Sequence, residues 1–240
     1  FRPSYRSIVP NLKRLSNIPV YVALTATATE EVILDIQELL TIDDEQVINT
    51  GFERENLSFH IVKGKDKATY VRSFINEHKD ESGIIYCLSR TSTESIAEDL
   101  RNVGIQALAY HAGLEKDKRA NHQEKFLKDE VKIIVATIDF GMGIEKSNVR
   151  FVVHRDLPKS LEGYYQETGR AGRDGLESEA LLFYSYGDVN KLRGFAQVEG
   201  NEEQTKINLK KLDKMASFGE LTVCRRKFLL NYFDEESPDT

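Results

Sequence analysis

The sequence is poor in the features that mark several large protein classes. Its two cysteines, Cys87 and Cys224, stand far apart in 240 residues, so a disulfide framework is not expected and a reducing cytoplasm is the default compartment. No apolar run approaches the roughly 18 residues of a membrane span and no secretory signal pattern opens the chain, so no membrane role is expected. Positive charge is not in excess: 33 Lys and Arg face 39 Asp and Glu, a net charge of −6. That argues against nucleic-acid binding by bulk attraction and leaves room for a local basic groove. There is no initiator methionine, and Phe1-Arg2-Pro3-Ser4-Tyr5 reads as the interior of a domain, as in an excised piece. Internal repeats and low-complexity tracts are also missing.

What is present is 40% hydrophobic and 30% charged, the composition of a folded globular protein, with length for one full domain plus flanking parts. Three regions separate. In residues 1–50, the run Val20-Tyr21-Val22-Ala23-Leu24 reads as a buried strand. A helix follows, with Val32, Ile33, Ile36, Leu39 and Leu40 on one face, Thr29 as N-cap and Glu30 and Glu31 in its first turn. In residues 51–188, short apolar runs at 84–87, 107–110, 133–136, 151–154 and 180–184 alternate with amphipathic stretches at 91–103, 117–128 and 160–168. Continuous apolar runs alternating with helices predict an α/β fold, a parallel sheet covered on both faces. Ligands of such sheets gather at the carboxyl ends of strands, which directs attention to the loops that follow them. In residues 189–240 strands stop, and helices are expected over 201–214 and 223–233.

The most informative segment is Gln166-Glu167-Thr168-Gly169-Arg170-Ala171-Gly172-Arg173-Asp174-Gly175. Two arginines three apart among glycines, after a helix, present two planar forks that match phosphate oxygens. A lone R-A-G-R would serve equally as a Gly-rich turn with solvated arginines; the ten-residue string is far more specific. It resembles the Q-x-x-G-R-x-G-R motif of superfamily-two helicases and, at full length, that of the RecQ helicases. The resemblance implies that Arg170 and Arg173 reach ATP bound on another motor domain, with Arg173 the arginine finger and Gln166 at the nucleotide.

Other segments match the same family in order. Ala136-Thr137-Ile138-Asp139-Phe140-Gly141-Met142-Gly143-Ile144-Glu145-Lys146 follows an expected strand and resembles motif V, which implies that Thr137 and Lys146 contact the DNA backbone and that Gly143 and Glu145 lie toward the nucleotide. Glu145 departs from the Asn or Asp usual there, and Ser147 from a frequent Pro. Ile84-Ile85-Tyr86-Cys87-Leu88-Ser89-Arg90 and Tyr110-His111-Ala112-Gly113-Leu114 match motif IV and the adjacent H-A-G loop, with Ser89, Arg90 and His111 as phosphate or sugar contacts. Cys87 itself reads as core packing. Ala23-Leu24-Thr25-Ala26-Thr27-Ala28-Thr29 resembles motif III. Cys224 heads a C-R-R-x-x-L-L-N-Y-F helix like the one that carries the first of four zinc cysteines in RecQ proteins; the other ligands would lie beyond Thr240, so no well-bound Zn²⁺ is expected.

The resemblance therefore implies a RecA-like sheet sandwiched by helices (51–188), preceded by the tail of a first RecA-like domain (1–50) and followed by the helical start of a truncated zinc-binding domain (189–240). It implies an ATP- and Mg²⁺-dependent helicase moving 3′-to-5′ on single-stranded and partly duplex DNA in recombination and repair. The Gly-rich Lys-containing phosphate loop and the acidic magnesium motif are absent from the sequence, so the isolated chain is expected to be inactive. Two other classes stay open: a related RNA helicase or chromatin translocase, and a non-catalytic nucleic-acid-binding or regulatory module.

Overall fold

The computed structural model describes residues 7–12, 14–17, 20, 22–25, 28–138, 140 and 144–235. They pack as two compact units, one comprising 54–225 and the other 1–53 with 226–240.

The larger unit is built on a six-stranded, wholly parallel sheet in the order β1-β6-β5-β2-β4-β3, formed by β1 (Leu57–Val62), β2 (Ser82–Tyr86), β3 (Ala107–Tyr110), β4 (Ile133–Ala136), β5 (Val149–His154) and β6 (Ser178–Phe183). The apolar runs at the centre, β2 and β4, are buried along their whole length because helices cover both faces. Alternation sorts their side chains: Ile85 and Cys87 face the layer containing α3 (Lys67–Glu77) and α4 (Arg90–Asn102), whereas Ile84 and Tyr86 face the layer containing α5 (Lys116–Leu127). Gly83 in β2 has its own reason: a β-carbon there would lie 1.9 Å from the Phe151 ring of the neighbouring strand. The expected parallel sheet is therefore what forms. β1 lies at an edge with half-exposed positions, so its apolar signal is diluted and the sequence did not reveal it.

The helices start where short polar side chains satisfy their first free N–H groups. Asp66 caps α3, Ser89 caps α4, Ser160 caps α6 (Leu161–Thr168), Ser185 caps α7 (Tyr186–Ala196) and Asn201 caps α8 (Glu202–Glu220). Helix α8 runs past the expected stretch because Leu212, Met215 and Phe218 continue its buried face; Phe218 meets Tyr164 of α6 at 5.1 Å between ring centroids. Tyr184 donates to Glu220 at 2.7 Å, so the end of α8 is fastened just beyond β6.

The smaller unit contains α1 (Ile8–Leu12), α2 (Glu30–Leu40), a 3₁₀ turn at Asp44–Gln46, and most of α9 (Arg225–Tyr232). Thr29 stands at the N-cap of α2 as expected, but its side chain makes no capping bond. Residues distant in sequence join here: Phe52 stacks on Phe233 at 4.5 Å, its N–H donates to the Glu235 carboxylate, and the Glu30 N–H donates to Asp234 at 3.3 Å. The strand expected at 20–24 does not form among the described residues; Val20 and Leu24 are 97% and 91% exposed. A strand needs a paired edge, and every described strand of the chain pairs within the other unit. Tyr21, Ala26 and Thr27 lie outside the described residues.

Candidate nucleotide and nucleic-acid site

The arginine string forms the turn between α6 and β6. Parallel pairing puts this turn at the amino-terminal ends of the strands, not at the carboxyl ends where the sequence directed attention: the Gly172 N–H donates to the carbonyl of Val149, the first residue of β5, at 2.8 Å. Gly172 adopts φ +62°, a left-handed conformation suited to glycine, and a β-carbon there would lie 2.4 Å from Asn56 Nδ2.

The turn is held from outside by a residue the sequence did not single out. Arg54 donates to the carbonyls of Ala171 and Gly172 at 2.9 Å each and reaches that of Gly169 at 3.5 Å. Asn56 adds bonds to the carbonyls of Gly172 and Leu176 at 2.8 Å. Arg150 grips Asp174 through both carboxylate oxygens, at 2.5 and 2.6 Å. Arg54 lies 115 residues before Gly169, so no local spacing could have announced it.

The two arginines of the string take different positions. Arg170 is buried at 9% exposure, and its charge acts on the buried phenol of Tyr86, the last residue of β2. Arg173 is exposed; it donates from Nη1 to the Ile144 carbonyl at 3.2 Å and from Nε to the Gly169 carbonyl at 3.4 Å. Partial burial, with the nearby Arg170 and Arg54 cations, depresses its guanidinium below the ordinary arginine range, while Glu145 acts the other way. Three guanidinium groups thus gather where a phosphate would relieve their mutual repulsion. Gln166, on α6, and Glu145 are both exposed. Gly143 lies outside the described residues, as do Asp139, Gly141 and Met142.

A second group stands at the carboxyl ends of β2, β3 and β4. Ser89 and Arg90 are exposed, and the Leu88 N–H donates to Asp156 at 2.9 Å, which fixes the approach to them. Arg90 and His111 come together: a β-carbon on Gly113 would be 3.1 Å from both Arg90 Nη1 and His111 Nδ1. His111 is nonetheless 3% exposed, with Nε2 3.0 Å from Glu94. Thr137 is buried as well, and its N–H donates to the Tyr110 carbonyl at 3.2 Å. Lys146 lies instead at the amino-terminal end of the sheet and points inward: its ammonium sits 3.0 Å from Asp129, which bonds Ser82 at the start of β2, and 5.2 Å from the Phe126 ring centroid. In this conformation Lys146 and His111 are turned inward, and of the residues expected to contact nucleic acid Ser89 and Arg90 are the exposed ones.

A pair without an assigned role lies between the two groups. His154 Nε2 is 2.6 Å from Glu167, both are buried, and the imidazole stacks on Tyr86 at 5.3 Å. Elsewhere, Cys224 is exposed, and among the described residues no three His, Cys, Asp or Glu side chains converge to hold a metal. A structural zinc needs about four ligands, so the described residues do not make a zinc site. Among the described residues no helix is long and apolar enough to cross a membrane.

Comparison with known proteins follows the same order along the chain. The family "Helicase conserved C-terminal domain" matches residues 66–175, and "RecQ zinc-binding" matches 186–240. The ATP-dependent DNA helicase RecQ of Bacillus subtilis is 46% identical over the whole chain. The chain belongs to the RecQ family. The RecQ-like DNA helicase BLM of Xenopus laevis is 43% identical over 99% of the chain. The chain spans 40% of the length of the Bacillus protein and 18% of the Xenopus one. Among solved structures, Saccharomyces cerevisiae Dbp5 bound to RNA and ADP BeF3 matches with TM-score 0.62 at 18% identity, over 90% of the chain and 60% of Dbp5. At that identity the likeness shows the fold, and the RecQ-family sheet is of the RecA-like kind found in such proteins.

Proposed function

We propose that the chain is the nucleotide-triggering and DNA-gripping half of an ATP-dependent DNA helicase. The observation that carries this reading is the arginine turn itself: Arg170 and Arg173 held by Arg54 on a fixed backbone, with Arg173 bonded to the loop after β4. The names of the bacterial and animal relatives support it. Residues 1–50 are assigned to the end of a first RecA-like domain, 51–188 to the second, and 189–240 to the start of a zinc-binding domain.

In this mechanism ATP binds between the two RecA-like domains. Arg173, the more exposed of the pair, leaves the Ile144 carbonyl and meets the γ-phosphoryl group, where an arginine stabilises charge that develops in the transition state. Arg170 supports it, and Gln166 and Glu145 border the same side. Ser89 and Arg90 bind the phosphates and sugars of single-stranded DNA, contacts that position a strand without reading its sequence. Thr137 and the His111 loop shape that surface. Closing and reopening of the arginine site moves the loop after β4, and repeated cycles carry the protein 3′-to-5′ and part the duplex. No residue of the chain is assigned to Mg²⁺, for which the described residues offer no ligand cluster.

The test is ATP hydrolysis by the full-length protein, with and without single-stranded DNA, for wild type and Arg173→Ala. Strong DNA stimulation, and a loss of about 10³-fold or more in the variant with DNA binding retained, is the expected result. A variant as active as wild type would overturn the assignment. The putative ATP-dependent RNA helicase R290 of Acanthamoeba polyphaga mimivirus, 41% identical over the chain, favours including RNA in the same assay. Stimulation by RNA equal to that by DNA would replace the DNA reading with the RNA one.

A further inference from the structure

The loop that carries Ser89 and Arg90 leaves β2 beside the segment that leaves β5, and two hydrogen bonds lash these segments together. The Arg155 N–H donates to the Tyr86 carbonyl at 3.0 Å, which continues the pairing of β2 with β5 past the strand ends. The Leu88 N–H then donates to the Asp156 carboxylate at 2.9 Å. Leu88 immediately precedes Ser89, whose hydroxyl caps α4 by accepting from the Ser92 N–H at 3.1 Å. A side chain of one loop thus fixes the backbone from which the other loop's exposed groups project. A carboxylate holds an N–H more strongly than a neutral acceptor does.

We infer that Asp156 is a positioning residue for nucleic-acid binding: it presets the backbone at Leu88, so that Ser89 and Arg90 meet a phosphate strand already in place. The inference rests on the motor reading above and names the side chain that orients its nucleic-acid contacts. The carboxylate is itself held. Its other oxygen, Oδ1, lies 3.7 Å from the Lys67 ammonium and 3.8 Å from Arg155 Nη1. Lys67, the first residue of α3, also donates to the Arg155 carbonyl at 2.7 Å and to Asp188, in the first turn of α7, at 3.0 Å. One ammonium therefore ties the loop after β5 to two helices, and its side chain is only 25% exposed. A bare carboxylate beside a phosphate strand would repel it; Lys67 and Arg155 offset that charge and leave Asp156 its hold on the backbone. A loop ordered beforehand loses less freedom on binding, and affinity rises accordingly.

The experiment compares full-length wild type with Asp156→Ala, which removes the acceptor, and Asp156→Asn, which keeps an oxygen for the Leu88 N–H. ATP hydrolysis is titrated with oligo-dT, and the DNA concentration at half-maximal stimulation is read apart from the rate at saturation. Asp156→Ala should raise that concentration by about tenfold with a much smaller fall in the saturated rate, and Asp156→Asn should recover most of the affinity. A merely structural role would lower the saturated rate and leave the half-maximal concentration unchanged. That result, or an Asn variant as weak for DNA as the Ala variant, would overturn the positioning role. Arg90→Ala is titrated alongside: if it responds to DNA as wild type does, the nucleic-acid reading of this loop fails, and the role of Asp156 with it.

Discussion

Arg173 donates from Nη1 to the carbonyl of Ile144 at 3.2 Å, so the arginine proposed for the nucleotide rests on the loop proposed for the nucleic acid. An arginine that must reach a phosphate breaks this bond first, and the freed carbonyl leaves the loop after β4 with one fewer tie to the arginine turn. The same side chain thereby links nucleotide arrival to a change in that loop.

Arg54 should matter to catalysis without touching the nucleotide. Arg54→Ala removes the Arg54 donor from the Ala171 carbonyl, a loss of about 1–3 kcal/mol, and one of the donors to the Gly172 carbonyl, which keeps Asn56 and the Gly175 N–H. In the full-length protein the expected result is a fall in kcat larger than any rise in KM, because Arg173 is mispositioned while nucleotide contacts elsewhere persist. Steady-state ATPase at saturating DNA measures it. Arg54→Lys restores the charge but not the fork and should recover little.

The glycines of the arginine turn are not equivalent. Gly172 and Gly175 adopt φ +62° and +81°, but a β-carbon at Gly172 would lie 2.4 Å from Asn56 Nδ2 and 2.9 Å from the Leu176 carbonyl, whereas at Gly175 nothing lies within 4 Å. Gly172→Ala combines backbone strain with overpacking and should destabilise by roughly 2–4 kcal/mol; Gly175→Ala carries the strain alone, about 1 kcal/mol. Urea denaturation of the two variants, read by circular dichroism, gives the comparison.

Asp129 anchors the loop after β4 through Lys146, whose side chain is 3% exposed. Burial alone would raise the Asp129 carboxyl, but donors from Lys132, Lys146, Ser82 and Asn148 outweigh it and hold the carboxyl far below the usual range. A depressed folded-state value makes this stabilisation complete above the unfolded value of about 3.9 and removes it as pH falls through the lower folded value. Asp129→Ala should therefore destabilise at pH 7, toward the lower end of the roughly 3–5 kcal/mol seen for orphaned buried charges, because the Asp129 side chain is itself 35% exposed. The difference from wild type should shrink in strong acid. Thermal unfolding across pH measures it.

The two cysteines should differ in reactivity. Cys87 is buried, and burial pushes its thiol up to about 12, whereas Cys224 is exposed. Iodoacetamide at pH 8 should modify one thiol in the native chain and both in guanidinium, with mass spectrometry placing the first adduct on Cys224. Elemental analysis of the same chain should find no stoichiometric zinc.

The sequence by itself determined the parallel sheet, because continuous runs such as Ile133–Ala136 must be buried on both faces, and it determined the arginine string, because glycines and arginines at that spacing are local information. It pointed to Ser89 and Arg90 for the same reason: each follows a strand and precedes a helix. Only the tertiary structure decided what those residues touch. Arg54 meets Gly172 across 118 residues of chain, the Tyr86 hydroxyl reaches the Phe140 carbonyl, and Lys146 turns inward to Asp129. The run at 20–24 looked like a strand by composition, but strand formation depends on a paired edge, which a single segment cannot encode. Local pattern sets which elements form and where phosphate-binding groups cluster. The partners of a guanidinium or a buried hydroxyl are set by which loops the crossovers of the sheet bring together.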